Sequence, residues 1–374
     1  MKISNGNIAV EIIETNKRLD EIAGGLQSCT EIFIDTEFDE FKTQYGVHLQ
    51  LIQIFDGKAC YLIDTVQLTD LDILWSVFED ENICKVLYAA SSDVAILKKY
   101  GCNTTNIFDI QVAAFLCNRA ENSYAGLVHA ELGIEIDKTC QTSRWGDRPL
   151  KTSQVIYASN DVIHLPALKQ IFLAEVAKKN MLHILKDENV LLQNCVKKNY
   201  EPKLSAKQKK VFSYYTRGKL MEFKRLINDY AKLLNVPLFY IVQDSQLEEI
   251  VKDKTYFLKA PFAKGFYKEA VNLDAFKKQF LELVHSIDTG IDWQNPMRES
   301  ADKLNTLTIP ADIKLNNRFL HFREYMISKY GETASSILLQ GLSKKITDEG
   351  IEWEGTKVYQ RDLYSDFLSS HKAS

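Results

Sequence analysis

Asp35 and Glu37 are the first residues of the chain whose types and spacing could support chemistry. They follow a short apolar run that begins at Ile32, and one residue separates them. Because side chains on a strand return to the same face at every second residue, both carboxylates point the same way. Two neighbouring negative charges repel unless a cation lies between them, and Mg²⁺ and Mn²⁺ prefer oxygen ligands. Surface strands also produce Asp-x-Glu pairs often, so the pair indicates a metal site only together with other acids.

Two further acids lie later in the chain. Asp93 follows a predicted buried strand, where the ordinary interpretation is an acid that stabilises the start of a helix. Tyr157 and Asp161 are four residues apart, which places a phenol and a carboxylate on one helix face. Alone, such a pair is usually a simple hydrogen bond. If the elements that carry Asp93 and Asp161 converge with the Asp35 strand, however, four carboxylates would form a cage for two cations.

The elements that must position these acids follow from two hydrophobic periods. Alternating or continuous apolar runs predict strands at Ile32–Asp35, Leu49–Phe55, Ala59–Ile63 and Lys85–Ala90. Asp56-Gly57 is a strong hairpin signal, so we expect the first three strands to be adjacent and antiparallel. Helical spacing predicts helices at Ser92–Tyr100, Asp109–Cys117, Ser123–Leu132 and Thr152–Asn180. This order predicts an α/β domain with a mixed sheet that ends near residue 190.

The second half of the chain is mainly helical in pattern. Helices are predicted at Ala206–Leu234, Ser245–Val251, Leu273–Ile287, Asn316–Tyr330 and Ala334–Thr347. The sequence Ser245-Gln-Leu-Glu248 has the form of a capping box, in which two side chains satisfy helix-end amides. The segment 288–299 contains Gly290 and Pro296 and is predicted to connect two small helical units.

Composition excludes several classes of protein. With 374 residues, 45% of them hydrophobic and 26% charged, the chain is expected to be a folded globular protein of two or three domains. Its seven cysteines include no CxxC pair, so a disulfide framework and a thiolate zinc site are not expected. No apolar stretch has the length of a membrane span and no signal core is visible, which predicts a cytoplasmic protein.

The net charge of −4 conceals an uneven distribution. Residues 1–200 carry 19 basic and 27 acidic side chains, whereas residues 201–374 carry 27 and 23. The basic excess is concentrated in 201–235, with nine Lys or Arg and three acids, and with aromatic residues interleaved. Such a stretch is typical either of a solvated helix face or of a surface that neutralises phosphates. On charge alone, the first interpretation is the more common one.

Five short motifs, in this order, resemble those of one enzyme family. They are Phe33-Ile-Asp-Thr-Glu-Phe38, Leu49-Gln-Leu-Ile-Gln-Ile54, Asp109-Ile-Gln111, Arg144-Trp-Gly-Asp-Arg-Pro-Leu150 and Tyr157-Ala-Ser-Asn-Asp-Val162. With Asp93, they resemble the tyrosine-containing branch of the DEDD exonuclease superfamily, and within it ribonuclease D. The resemblance covers about residues 28–185. Ser92 departs from it, since ribonuclease D commonly has an acid at this position.

The resemblance implies a domain organisation. It implies an RNase H-like 3′-5′ exonuclease domain at 1–190, with a mixed sheet flanked by helices, followed by all-α domains. The stretch from Arg225 to Leu247 resembles the helicase-and-RNase-D C-terminal (HRDC) domain, a helical nucleic-acid-binding module. We therefore expect an HRDC domain at 203–285 and a second, diverged HRDC-like domain at 300–374.

The resemblance also implies roles for individual residues. Asp35, Glu37, Asp93 and Asp161 would hold two divalent cations, Mg²⁺ or Mn²⁺, and Tyr157 rather than His164 would orient the attacking water. A phenol with a pKa near 10 is a poor base at neutral pH, so the metal should do most of the deprotonation. Substrate contacts are expected from five further side chains: Thr36, Phe38, Arg144, Trp145 and Arg148. Phe38 could equally be a core aromatic, and Trp145 could simply pack its loop.

The expected activity is that of a 3′-5′ exoribonuclease that releases 5′-mononucleotides from RNA 3′ ends, with tRNA precursors or other structured RNA as substrates. Two other functions stay open, a DNA exonuclease of the RecQ-associated type and a catalytically silent RNA-binding module. Nothing in the sequence reports recognition of a 2′-hydroxyl. The chain has no P-loop, so we expect no nucleotide cofactor, and we expect a monomer without membrane contact.

Overall fold

The structure is a computed structural model, and it describes residues 2–42, 44–68, 70–121, 123–197, 200–258, 274–288, 317–347 and 350–371. A seven-stranded sheet forms its first half. In chain order the strands are β1 (Lys2–Asn5), β2 (Ile8–Ile13), β3 (Glu31–Glu40), β4 (Val47–Phe55), β5 (Ala59–Ile63), β6 (Cys84–Leu87) and β7 (Ile107–Asp109). Their order across the sheet is β1-β2-β5-β4-β3-β6-β7.

The sheet is mixed, as the sequence predicts. β4 and β5 are antiparallel, whereas β2 pairs in parallel with β5, and β6 pairs in parallel with both β3 and β7. The turn between β4 and β5 is the predicted one, since the Asp56 carboxylate accepts the backbone N–H groups of Lys58 and Ala59 at 2.8 Å and Gly57 has a φ of 90°. β1, β2 and β7 were not among the predicted strands.

Helices flank this sheet. They are Asn16–Leu26, Asp72–Phe78, Ser91–Lys99, Ile110–Leu116, Tyr124–Leu132, Thr152–Ile163, Leu165–Lys178 and Leu182–Leu192. The prediction of one helix over Thr152–Asn180 is wrong, because the chain breaks at His164 and a second helix begins with Pro166 in its first turn. Proline disfavours helical geometry in the residue before it but fits the start of a new helix.

The C-terminal segment packs on the exonuclease-like part of the chain. Its helices are Asn317–Tyr330, Glu332–Leu338 and Val358–His371, with a 3₁₀ turn at Leu342–Lys344 and a small hairpin of Ile346–Thr347 with Gly350–Ile351. Phe322 and Met326 belong to the same buried core as Phe172 of the first half. Glu188 accepts both a bond from Lys357 at 2.5 Å and one from the Tyr359 hydroxyl. The predicted separate domain at 300–374 stays a prediction.

A second compact unit comprises Asp39–His48 and Lys198–Asp312. Its described helices are Ala206–Val211, Tyr214–Leu234, Asp244–Lys252, Thr255–Leu258 and Asp274–His285, with a 3₁₀ turn at Leu238–Tyr240. The unit has its own aromatic core, which includes Phe223, Phe257, Phe276 and Phe280. The sequence predicts one helix at 206–234, where the structure has two, and one at 245–251, which is present one residue longer at each end.

Two predictions for this unit are wrong: the continuity of one helix and the capping residues of another. Ser213 caps a new helix at the Thr216 N–H, so the predicted helix over Ala206–Leu234 is divided in two. The capping box of the helix at Asp244–Lys252 is formed by Gln243 and Gln246 and not by Ser245 and Glu248. The connector predicted at 288–299 lies outside the described residues except for Asp288. Of the helices that the structure describes, none combines the length and apolar character needed to cross a bilayer.

Candidate active site

Three carboxylates meet at the middle of the sheet. Asp35 and Glu37 lie on β3 with one residue between them, so their side chains share a face. Asp161 comes from the helix Thr152–Ile163. One oxygen from each of these three acids lies within 4.8 Å of the other two, and all three side chains are partly buried. The convergence that the sequence predicts for these residues is thus present.

Asp93 lies beside this group and is 7% exposed. The parallel pairing of β3 with β6 brings the turn after β6 next to β3, and Asp93 stands in the first turn of the helix that follows. The Thr36 hydroxyl donates a 2.5 Å hydrogen bond to its Oδ1. The cap of that helix is Ala90, without a side-chain bond, so Asp93 is not an ordinary helix cap. Its carboxylate instead faces the other acids.

Burial and mutual repulsion oppose ionisation of these acids. Burial raises the pKa of Asp93 to about 7, although the bond from Thr36 lowers it. Burial, and then repulsion from Asp93, raises the pKa of Asp161 to about 8. Burial and the charges of the three neighbouring acids raise the pKa of Asp35 well above the usual carboxyl range. Three of these four acids therefore resist losing their protons in the metal-free protein. Carboxylate oxygens placed this close together form a set that fits hard divalent cations.

Tyr157 lies one helical turn before Asp161, on the same face of the helix. Burial, and then the negative charges of Asp161, Glu37 and Asp35, raise the pKa of its phenol above the ordinary value. The hydroxyl therefore stays protonated at neutral pH and can act as a hydrogen-bond donor or acceptor, not as a base. Its ring centroid lies 5.9 Å from that of Trp145, which helps to fix the ring.

The N-terminal hairpin, which the sequence did not predict, holds the helix that carries Tyr157 and Asp161. The Asn5 amide donates to Ser159 at 3.0 Å and to Asn160 at 2.6 Å. On another side, the Tyr124 hydroxyl donates to the backbone carbonyl of Asn160 at 2.8 Å. These bonds fix the helix between its two functional side chains. The sequence does carry signals for this hairpin: Asn5-Gly6 at the turn, where Gly6 has a φ of 58°, and the alternation of apolar residues over Ile8–Ile13.

Asp109 holds the turn that leads to Asp93. Its carboxylate is 2% exposed and accepts the backbone N–H groups of Ala89 at 3.0 Å, Ala90 at 2.9 Å and Gln111 at 2.7 Å. Ala89 has a φ of 55°, a conformation that residues with a side chain rarely adopt. The carboxylate thus maintains a strained turn two residues before the helix with Asp93. The sequence indicated Asp109 only as part of a motif.

Thr36 and Phe38 alternate with the acids along β3. Thr36 is 6% exposed, and its hydroxyl is engaged with Asp93. Phe38 is partly buried, and the Lys197 ammonium lies 4.8 Å from its ring centroid. Phe38 is absent from the buried core, so a site for stacking is the better of its two interpretations. Contact of either residue with substrate stays a prediction.

The loop with the other three predicted contacts has one exposed and two engaged side chains. Arg144 is 66% exposed and lies 3.7 Å from Asp147. Trp145 is 1% exposed and belongs to the core. All five N–H groups of Arg148 are used within the protein: Asp64 accepts two, and the carbonyls of Gln50, Trp145 and Asp147 accept the rest. Trp145 and Arg148 therefore position this loop, and Arg144 alone has a free surface.

The chain resembles known exonucleases in sequence. Residues 10–177 match the family model described as 3′-5′ exonuclease. A ribonuclease D from Shewanella sp. is 38% identical over 162 residues, which are 42% of each protein. Ribonuclease D from Desulfotalea psychrophila is 32% identical over 248 residues, 64% of this chain and 66% of that protein. These matches span less than two thirds of the relatives' own length.

Solved structures show the same fold. The catalytic core of RRP6 from Trypanosoma brucei has a TM-score of 0.65 at 21% identity and covers 76% of this chain and 81% of that chain. Escherichia coli RNase D has a TM-score of 0.64 at 20% identity, with coverage of 96% and 97%. The predicted exonuclease fold with its mixed sheet is confirmed. Over residues 10–177 the chain thus resembles 3′-5′ exonucleases, and curated ribonucleases D are among its relatives.

Proposed function

We propose that this protein is a 3′-5′ exoribonuclease that shortens RNA from its 3′ end and releases 5′-mononucleotides. The observation that supports this most is the meeting of Asp35, Glu37 and Asp161 oxygens within 4.8 Å, with Asp93 beside them. Ribonuclease D relatives and the description of the Escherichia coli enzyme as an exoribonuclease in structured RNA processing support RNA as the substrate. Precursors of tRNA with a 3′ extension are the substrates that we expect.

We propose that Asp35, Glu37, Asp93 and Asp161 hold two divalent cations, Mg²⁺ or Mn²⁺. When bound, the cations would lower the pKa of the attacking water and offset the charge on the phosphate. Tyr157 would orient the water through its protonated hydroxyl. Thr36 would keep the Asp93 carboxylate turned towards the site, and its 2.5 Å bond supports that role. The raised pKa values of Asp93 and Asp161 support competition between protons and cations.

We further propose that residues 203–285 act as an HRDC domain that holds the RNA chain. The separate aromatic core of the described helices in this region and the basic excess over 201–235 support an independent nucleic-acid-binding module. A monomer with one exonuclease unit would be sufficient for this activity. We expect the protein to act in the cytoplasm, on RNA and without a nucleotide cofactor.

The test uses a tRNA precursor with a short 3′ extension and a DNA of the same sequence, each incubated with the full chain and Mg²⁺ or Mn²⁺. We expect release of mononucleotides from the RNA and loss of release in EDTA. Hydrolysis of the DNA alone would favour the DNA exonuclease, and binding without release from either substrate would favour the silent RNA-binding module. Either result would contradict the proposed activity.

Two matched variants separate the acid site from a general loss of charge. Asp35→Asn removes one of the proposed ligands, whereas Asp72→Asn removes an exposed acid from the helix Asp72–Phe78. We expect Asp35→Asn to lose at least about a hundredfold in rate, because one charged ligand in such a site is worth several kcal/mol. The Asp72→Asn variant should keep the activity of the unchanged protein.

A further inference from the structure

The helical unit contains a pocket that the proposed catalysis does not use. It has a volume of about 240 Å³. The side chains that matter for its chemistry are Phe41, Tyr200, Lys224, Phe239, Gln243 and Asp244. Phe239 is 52% exposed and Tyr200 is 36% exposed. Large aromatic side chains that remain accessible beside a pocket provide flat surfaces on which a planar ligand can stack.

Phe41 is held at this pocket in a conformation that is unfavourable for its backbone. Its φ is 52°, and its backbone N–H donates to the Gly46 carbonyl at 2.8 Å. A bulky residue in this region of φ costs about 1–3 kcal/mol, and such costs often occur at binding sites. The centroid of the Phe41 ring lies 4.7 Å from that of the Tyr200 ring and 5.2 Å from that of the Tyr45 ring. The neighbouring rings therefore fix the Phe41 side chain in the wall of the pocket.

Tyr45 is itself fixed, which makes the wall rigid. Its hydroxyl donates to the side-chain oxygen of Asn228, on the helix Tyr214–Leu234, at 2.7 Å. The segment 39–48 is thus bound to the helical unit through both an aromatic contact and a hydrogen bond. A rigid aromatic wall loses little conformational entropy when it binds a ligand.

The polar groups of the pocket are nearly neutral in sum. The buried Lys224 ammonium donates to the Asp244 carboxylate at 2.6 Å, and Asp244 remains 61% exposed. Because the positive charge is already compensated, the pocket is poorly suited to a phosphate. The exposed acid and the NH₂ group of Gln243, whose side-chain oxygen caps the helix Asp244–Lys252, can instead bond to the polar edge of an uncharged ring.

A nucleobase has these properties. It is planar and uncharged, it stacks on aromatic side chains, and its edge carries both donors and acceptors. The segment 201–235, which contributes Lys224 to the pocket, contains nine Lys or Arg and three acids. This basic excess favours binding of the phosphates that accompany a base in a nucleic-acid chain.

We propose that this pocket binds one unpaired base of the RNA, stacked on Phe239, Tyr200 or Phe41, at a site separate from the four acids. The proposal rests on RNA being the substrate. Bases in double-stranded RNA are stacked and paired, and they cannot enter such a pocket. The pocket therefore favours RNA with a single-stranded segment next to its structured part.

The experiment compares Phe239→Ala with Tyr256→Ala, since Tyr256 is an equally exposed aromatic residue of the same unit outside the pocket. Binding of a single-stranded oligoribonucleotide is measured by fluorescence anisotropy in EDTA, where no hydrolysis takes place. Release of mononucleotides from a ribodinucleotide in Mg²⁺ is measured in parallel. Because stacking of one base contributes about 1–3 kcal/mol, we expect Phe239→Ala to weaken oligonucleotide binding about tenfold and to leave dinucleotide hydrolysis unchanged.

Phe239→Trp should restore the affinity, because tryptophan offers a larger stacking surface. Equal affinity of the Phe239→Ala and unchanged proteins, or no binding of the oligonucleotide to the unchanged protein, would overturn the pocket. Weaker binding in Phe239→Ala without hydrolysis of RNA by the unchanged protein would support the pocket and contradict the exoribonuclease. Equal loss in Tyr256→Ala would also overturn the pocket, because the effect would then belong to any exposed aromatic residue.

Discussion

At the scale of single residues, the chemistry of this site depends on carboxylates that lie close together. Asp35, Asp93 and Asp161 each have a raised pKa, first because of burial. The charge of Asp93 then raises the pKa of both Asp35 and Asp161, whereas the charge that raises the pKa of Asp93 is that of Asp109. Such a cluster is unfavourable in isolation, since buried like charges repel with little screening. A cation removes this repulsion. The arrangement of these acids therefore destabilises the metal-free form of the protein.

The role of Tyr157 can be separated from that of the acids. Tyr157→Phe removes the hydroxyl and keeps the ring that packs near Trp145. We expect the hydrolysis rate to fall by about a hundredfold or more, in the range of a lost acid–base or positioning group. Mn²⁺ affinity, measured by calorimetry, should stay within about twofold, because the four acids are unchanged. A large loss of Mn²⁺ affinity would contradict this division of roles.

Asp109 is expected to matter although it is not a proposed ligand. Asp109→Asn replaces one acceptor oxygen by an NH₂ group that faces backbone donors. Leaving a buried N–H without an acceptor costs about 1–3 kcal/mol, so urea unfolding should show a loss of this size. Because the turn before Asp93 loses its support, Mn²⁺ affinity should also fall. A stability loss with unchanged Mn²⁺ affinity would show that the turn does not position Asp93.

At the residue scale the sequence predicted the ligands better than their supports. The spacings Asp35-x-Glu37 and Tyr157 to Asp161 are local and reflect strand and helix geometry directly. Asn5 and Asp109 act over long sequence distances, through bonds to Asn160 and to the Ala89–Ala90 turn. A local sequence pattern does not reveal hydrogen bonds between residues that are far apart in the chain. The residues that orient the site were therefore visible only once the chain was folded.

At the scale of elements, the loop with Arg144 and Arg148 combines two functions. Arg148→Lys should lower the free energy of unfolding by about 1.5–3 kcal/mol, because a lysine cannot make the two-point bond to the buried Asp64. Arg144→Gln should leave stability unchanged and weaken RNA binding a few-fold at low salt. Urea unfolding and anisotropy measure the two effects. An equal loss of stability in both variants would contradict the separation.

Element boundaries show where sequence patterns reach their limit. Hydrophobic periodicity runs through His164 and through Ser213, since both neighbouring helices bury a face. Pro166 and the Ser213 cap mark the start of a new helix without a change in the apolar pattern. One helix was therefore predicted at each place where two are present. β7 has only three residues, too few for a period to appear. The strands β3 to β6 and several longer helices followed from their period, whereas β2, with six residues, and the helix Asn16–Leu26 were not predicted.

At the scale of the whole molecule, the acid cluster makes the stability of the metal-free protein depend on pH. The raised carboxyl pKa values mean that the metal-free protein binds more protons than the unfolded chain, so its stability falls as pH rises from about 4 to about 8. Cations bind the deprotonated acids. We therefore expect the rise in Tm on adding Mg²⁺ to grow between about pH 6 and pH 9.

Differential scanning fluorimetry with Mg²⁺ and with EDTA measures this rise, and the difference between the two cancels other effects of pH. Asp161→Asn serves as the comparison, because it removes the acid whose pKa is raised to about 8. In Asp161→Asn, the rise in Tm on adding Mg²⁺ should increase less with pH. A rise in Tm that is constant with pH, or largest near pH 6, would contradict competition between protons and cations.

The C-terminal segment also shapes the whole molecule. The resemblance predicted a second, diverged HRDC-like domain at 300–374, and that division of the chain stays a prediction. In the structure Phe322, Met326 and Tyr359 join the core of the exonuclease part, and Glu188 receives bonds from Lys357 and Tyr359. Glu188 lies on the helix Leu182–Leu192. The side-chain oxygen of the next residue, Asn189, accepts the Asp109 N–H at 3.2 Å. The segment thus supports elements close to the site.

The products of a single reaction test the central claim most directly. An oligoribonucleotide with a 5′ label is incubated with the protein and Mg²⁺, and mass spectrometry identifies every product. We expect labelled chains shortened one nucleotide at a time from the 3′ end, together with 5′-mononucleotides, and no products from Asp161→Asn. Internal fragments, 3′-mononucleotides, or full activity in Asp161→Asn would contradict a four-acid 3′-5′ exoribonuclease.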